Sequence, residues 1–237
     1  MAASLSQKAY DYLQKKLANG EYEPGARLVN RTLAEEIGVS VIPVREAIHR
    51  LASEGLVEHV PGSGAFVRDA SRFDLDNLYV LRDALESCAA AEAAKYITTD
   101  QIEELEYILA RSRKMTEELQ GQPSEHSTKS QLDQWMDDEQ QFHELLLEAS
   151  RNPLLAKVAL DNRAIYHVFQ FQRRDPSLLT HKVAEQTCQS KAELIVALRN
   201  RDPDLARKLM SEQIQRGRKT VASHFNQQKR SAPRVSS

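Results

Sequence analysis

The sequence predicts a mainly α-helical protein in two parts: an N-terminal winged helix-turn-helix with a small β-wing, then an all-α antiparallel helical bundle. Three observations predict it. Residues 29 to 67 run as helix, turn, helix and two short apolar strands around a Pro-Gly-Ser-Gly tip. From Asp74 onward every long segment has apolar residues at helical spacing, and none alternates as a strand does. A chain of 237 residues can form two domains of ordinary size, each with its own core.

In the first part, an amphipathic helix over Ser6 to Ala18 turns Ala9, Tyr12, Leu13 and Leu17 inward. Gly20 and Pro24-Gly25 make turns. The next helix, Asn30 to Ile37, takes Asn30 as its N-cap and Leu33, Ala34 and Ile37 as its apolar stripe. Gly38 ends it, because glycine adopts the left-handed conformation without a Cβ clash. Ser40 is placed to cap a second helix, Val41 to Ser53, with Pro43 in its first turn, where a missing N–H does little harm. Val44, Ala47, Ile48 and Leu51 form its buried face and leave Arg45, His49 and Arg50 outside. Gly55 closes the helix, and Leu56-Val57 and Ala65-Phe66-Val67 flank the tip. Helix, turn, helix and wing in this order is the layout of a DNA-reading module. Charge does not decide the matter, since the segment is close to neutral and lacks a basic stripe.

In the second part, Leu78, Leu81, Leu85, Cys88, Ala89 and Ala93 stripe the first helix. Thr98 and Gln101 form a capping box for the next, which carries Ile102, Leu105 and Leu109. The polar stretch from Gln120 to Lys129 reads as a mobile loop. Trp135, Phe142, Leu145 and Leu146 line a third helix. Asn152-Pro153 and Asp202-Pro203 restart helices as N-cap and first residue. Leu194, Ile195, Leu198, Leu205 and Leu209 fill the last two, giving six or seven helices in all. The domain boundaries follow: 1–69 for the winged helix, 70–73 as linker, 74–225 for the bundle and 226–237 as a disordered tail of polar, basic and proline character.

Composition excludes several classes. No apolar run reaches membrane-spanning length, and the N-terminus lacks a signal-peptide core. Cys88 and Cys188 lie far apart in helical patterns and read as thiols in a reducing cytoplasm. A net charge of −2 says nothing about partners. No phosphate-cradling glycine loop, G-x-S-x-G or C-x-x-C is present, Gly62-Ser63-Gly64 belongs to the wing, and Asp137-Asp138 reads as a solvated pair, so the chain is not expected to be an enzyme.

The first part resembles the N-terminal domain of the GntR family of bacterial transcription regulators. The residues that carry the likeness are Gly20 with Pro24-Gly25, Leu33-Ala34-Glu35, Gly38-Val39-Ser40, Pro43-Val44-Arg45-Glu46-Ala47, Arg50-Leu51, Glu54-Gly55-Leu56 and Gly64, in register over residues 5 to 68. The resemblance implies contacts to double-stranded DNA from Arg31, Ser40, Arg45 and the wing tip at Gly62. An arginine there reads guanine bidentately, and Ser40 and wing N–H groups grip phosphate. The family usually has Arg-Thr where this chain has Val41-Ile42, which removes a charged contact and offers thymine a methyl contact instead.

The second part resembles the all-helical FCD effector domain of FadR-type GntR regulators, through Leu81-Arg82 and Leu85-Glu86, then Phe142-His143, Ala149-Ser150 and Asn152-Pro153-Leu154, then Ala197, Asp202 and Ala206. Many members hold a divalent metal through one aspartate and three histidines. The corresponding positions here are Glu139, His143, Lys191 and Gln213. An ammonium is no ligand while protonated and a glutamine oxygen is a poor one, so no metal is expected. The substitutions fit a Lys191 ammonium in the electrostatic place of the cation, paired with Glu139, because a lone buried charge is costly. With Arg82 and His143, Lys191 would also meet a ligand carboxylate or phosphate. The alternative is a register one turn off, with Lys191 facing solvent. His167, His181 and His224 show no ligand spacing and read as surface or rim residues. What the resemblance implies is a cytoplasmic homodimeric repressor on a short palindrome, answering to a small anionic effector. A constitutive DNA-binding dimer with a degenerate effector domain stays open beside it.

Overall fold

A computed structural model describes residues 4–18, 20–69, 71–161 and 175–231; His167 and residues 232–237 lie outside these. The described residues hold nine α-helices and one three-stranded sheet, in two compact units, the first of which holds the residues up to Asp74.

In the first unit, α1 (Leu5–Ala18) starts where the Ser4 hydroxyl accepts the Gln7 N–H at 3.1 Å. It buries Ala9, Leu13 and Leu17, together with Tyr10 rather than the half-buried Tyr12. The Tyr10 hydroxyl donates to Glu54 at 2.7 Å, and burial together with that carboxylate pushes its pKa up to about 12. Next come β1 (Arg27–Leu28), α2 (Asn30–Ile37) and α3 (Val41–Ser53). Both helices have the bounds the sequence predicts, and their caps differ. The N-cap of α2 is Val29 and Asn30 is its first helical residue. Ser40 is the N-cap of α3 in extended conformation, yet its hydroxyl makes no capping bond. Gly38 has the positive φ (74°) that the turn between them requires.

The wing is β2 (Val57–Val60) and β3 (Gly64–Val67), antiparallel, with Ser63 N–H donating to Val60 O at 3.0 Å across Pro61-Gly62. Gly62 sits at φ 75°, as the third position of a type II turn demands. The strand β1, too short for alternation to reveal, pairs antiparallel with β3 and puts Arg27 opposite Phe66. Leu13, Val44, Ile48 and Leu51 form the fully buried centre of this unit. Each contributes about 1.5–3 kcal/mol relative to an exposed side chain.

The remaining helices are α4 (Arg72–Tyr96), α5 (Thr99–Gly121), α6 (Lys129–Ala149), α7 (Pro153–Asp161), α8 (His181–Arg199) and α9 (Pro203–Ser231). In the second unit α5 packs on α6 and α8, and α8 on α9. Helix α4 begins inside the stretch predicted as linker, and α9 runs through residues predicted as tail. On α4, Leu78, Ala89 and Ala93 are buried, while Leu81, Leu85 and Cys88 are only half-buried and Tyr79, Ala90 and Ala94 are buried instead. Small alanines allow close approach on more than one side, so a single stripe does not describe this helix. Both cysteines are free thiols.

Caps are dense here. Thr98 and Gln101 form the predicted capping box, and Thr128 with Gln131 forms a second before α6. The segment between α5 and α6, read from sequence as mobile, is tied down by Ser127 N–H to Leu179 O (3.0 Å) and Gln122 Nε2 to His126 O (2.9 Å). Asn152, Thr180 and Asp202 cap α7, α8 and α9 through their side chains.

The buried face of α9 is displaced from the predicted one. Ala206, Met210, Ile214 and Val221 are buried, Leu209 is half-buried and Leu205 is 39% exposed. An offset of one residue turns a helix face by about 100°. Met210→Ala is therefore expected to cost about 2–5 kcal/mol in a urea melt, and Leu205→Ala to stay within about 0.5 kcal/mol of wild type. Equal losses would restore the leucine face.

Candidate DNA-reading face and a buried charge cluster

The cations of the first unit divide into two sets. Lys8 donates to Ile37 O at 3.1 Å, Lys16 pairs with Glu21 at 3.2 Å, and Arg68 pairs with Asp74 at 2.9 Å. Arg50 donates to Glu54 (3.1 Å) and Gln7 (2.9 Å) and lies over the Tyr10 ring. Arg31, at the start of α2, and Arg45, in the first half of α3, are exposed and have no acidic partner among the described residues. The net charge of the helix pair is zero, with Arg31, Arg45 and Arg50 against Glu35, Glu36 and Glu46, yet two of its arginines have no acidic partner among the described residues.

Ser40 is exposed, and its hydroxyl is left unengaged by the helix it precedes. Gly62 is exposed at the wing turn, with open space where a Cβ would stand. Val41 is half-buried against the core, on the same face as Val44 and Ile48. Its neighbour Ile42 is 68% exposed and is the apolar group that the helix start presents. Helical spacing from Val44 would have separated the two.

The second unit contains an ion-pair chain. Lys191, on α8, is fully buried, with Nζ 2.6 Å from Glu139 Oε1 on α6. The approach is within ion-pair distance, but its angles are not those of a hydrogen bond, so charge holds the pair. The ammonium also lies 4.6 Å from the Phe142 ring centre and 5.9 Å from that of Trp135. The reading with Lys191 in solvent is thereby excluded. One turn along α6, His143 Nε2 stands 4.0 Å from Glu139, and its Nδ1 2.7 Å from Glu86 of α4. Arg82 grips Glu86 with two donors, at 2.7 and 3.2 Å. Burial alone would raise the Glu86 carboxyl; the Arg82 guanidinium and the His143 ring reverse this and hold it well below the usual carboxylate range. Beside them Arg111 of α5 pairs with Asp138 at 2.6 Å, where burial pushes the carboxyl up.

Glu86, Arg111 and Asp138 were not among the residues that sequence reasoning assigned to this site. The i,i+4 spacing of Arg82 and Glu86 was the signal for the first. Asp138, read as solvated, is buried. Gln213 is half-buried, and its Oε1 has no hydrogen-bond partner among the described residues. His224, read as a surface or rim residue, is half-buried and lies 3.3 Å from Asp175.

These residues do not fit a divalent metal. An ammonium faces Glu139 where a cation would sit, and the amide of Gln213 is a weak donor for a transition metal. Among the described residues no three His, Cys, Asp or Glu side chains converge to hold one.

Residues 5–67 match the model of the bacterial regulatory proteins of the gntR family, and residues 77–216 match the FCD domain. The chain belongs to the GntR family. A stretch of 114 residues is 33% identical to the HTH-type transcriptional regulator McbR of Escherichia coli K12, covering 48% of this chain and 52% of McbR. Over 211 residues the chain is 26% identical to the HTH-type transcriptional repressor RspR of the same organism, covering 89% of this chain and 86% of RspR. Among solved structures, E. coli McbR/YncC superposes with a TM-score of 0.70 at 22% identity over 94% of this chain and all of that one. A GntR regulator from Rhodococcus sp. RHA1 gives 0.69 at 19% identity, over 93% and 99%. These two establish the fold. This GntR-family chain is a DNA-binding transcriptional regulator and not an enzyme.

Two outcomes follow for the cluster. Lys191→Met leaves the Glu139 carboxylate without its ammonium and is expected to lose about 3–5 kcal/mol in a urea melt. Lys191→Met with Glu139→Gln recovers part of that loss; an undiminished single variant would show that the pair carries no weight. The Glu86 pKa is depressed on folding, so its contribution is complete above the ordinary glutamate value of about 4.3 and is lost as pH falls below it. The melting gap between wild type and Glu86→Gln should be wide at neutral pH and close as the solution is acidified.

Proposed function

We propose that this regulator is a ligand-responsive homodimeric repressor that binds a short palindrome in the cytoplasm. The observation that carries the DNA half is the exposed, unmatched pair Arg31 and Arg45 beside the unengaged Ser40 hydroxyl and the Gly62 turn. Arg45 reads a base edge in the major groove, Arg31 and Ser40 grip phosphate, and Ile42, with Val41 behind it, offers methyl contact to thymine. RspR, similar to this chain over most of its length, is a transcriptional repressor, and that likeness supports repression. Exposed apolar side chains such as Leu154 (70%) and Val158 on α7 support burial against a second copy.

The effector half rests on the buried cluster. Arg82 and Lys191 meet Glu86 and Glu139, so an anionic metabolite has to break one of these pairs to bind. Binding is then coupled to movement of α6 relative to α4 or α8, which is what a switch needs. The same pairing favours a second reading, a constitutive dimer whose cluster only holds the helices together.

The test is a gel-shift titration on an operator selected from a random duplex library, with and without a panel of small carboxylates and phosphate esters. Arg45→Ala should lose about 1–3 kcal/mol of specific affinity and relax base preference. A metabolite that weakens DNA binding must itself bind less well to the DNA complex, by the same factor. Tight operator binding that no metabolite alters would leave the constitutive reading.

A further inference from the structure

A cleft of about 400 Å³ lies in the first unit between β1, the start of α2, α3 and the wing. Its polar lining is Arg27, Asn30, Arg45, His49 and His59, and it contains no carboxylate. Arg27, like Arg45, is exposed and has no acidic partner among the described residues. The Arg27 side chain lies across Gly64: a Cβ there would stand 3.4 Å from its Nε, at a φ of +117° that side chains rarely adopt. The glycine therefore gives the guanidinium room at the base of the wing. His49 of α3 and His59 of β2 stack with ring centres 4.8 Å apart and planes inclined by 36°, which joins the reading helix to the wing.

Two guanidiniums, two imidazoles and an amide give the cleft N–H donors on several sides and nothing to repel an anion. We propose that it seats a phosphodiester of the DNA backbone, with Arg27, His49 and His59 as phosphate contacts alongside the base contact of Arg45. The proposal rests on the DNA-binding reading above. The cleft shares Arg45 with the reading helix and Gly64 with the wing, so a duplex engaged by both crosses it. A guanidinium and imidazole N–H groups suit phosphate oxygens, which carry charge and accept hydrogen bonds but no sequence information. The residues thereby divide: Arg45 sets which sequence is bound, and Arg27 with the histidine pair sets how tightly any sequence is held.

The experiment is fluorescence-anisotropy titration of the full chain with its selected operator and with a scrambled duplex, each over a range of salt. Arg27→Ala should weaken both duplexes by a similar factor and lower the slope of log affinity against log salt by about 0.9, the loss of one phosphate contact. Arg27→Lys should restore the slope. His49→Gln with His59→Gln should weaken both duplexes while leaving the ratio between them unchanged. Thermal melts of each variant separate these effects from misfolding. If wild type binds neither duplex, the DNA-binding reading itself fails. If wild type binds and Arg27→Ala matches it in affinity and slope, the cleft holds no phosphodiester. Saturable binding of inorganic phosphate that depends on Arg27, with an unchanged DNA slope, would make the cleft a small-anion site and overturn the proposal.

Discussion

The ammonium of Lys191 is buried among helices, and the arrangement of α4, α6 and α8 follows from the need to neutralise it. An unpaired charge in such a place is worth several kcal/mol of destabilisation, so Glu139 must stay in contact with it. Glu139 fixes α6 relative to α8. One turn along α6, His143 reaches Glu86, and Glu86 is gripped by Arg82 on α4. Apolar side chains tolerate small slides of one helix along another, whereas polar contacts of 2.6 and 2.7 Å do not. The chain of polar contacts therefore sets the register of helices whose apolar faces would accept several.

Much of this was legible in the sequence, because the signals were local. Gly38 and Gly55 ended helices where their positive φ is needed, Thr98 with Gln101 announced a cap, and Asn152-Pro153 and Asp202-Pro203 announced two more. The pairing of Lys191 with Glu139 could be anticipated from resemblance together with the cost of burying one charge alone. What escaped depended on facts that no short window contains. The strand β1 has two residues and exists because β3 offers it a partner. The face of α9 was misplaced by one residue because Leu205 and Leu209 are more apolar than the Ala206 that is buried. Thr128 with Gln131 was a missed signal of a kind already in use, hidden by the polar composition around it.

The two units use charge in opposite ways. In the helical unit, acids and bases are matched inside, and the pairs hold helices in place. In the winged unit, Glu21, Glu54 and Asp74 engage Lys16, Arg50 and Arg68, while Arg27, Arg31 and Arg45 have no acidic partner among the described residues. Net charge sums over both sets, which is why it was uninformative about a partner as highly charged as DNA. The informative quantity is which cations already have an anion.

The helix starts draw the same division. Helices α1 and α4 through α9 each begin with a side chain that accepts a backbone N–H, whereas α2 and α3 begin without one. A missing cap costs a helix on the order of 1 kcal/mol and leaves open amides, with the positive end of the helix dipole, at its first turn. For α3 the residue at that position is a serine whose hydroxyl would suit the task and is not used for it. The reading helix is thus formed from Val41 onward yet uncapped, and it gives up in stability what its sisters gain from their first side-chain bond.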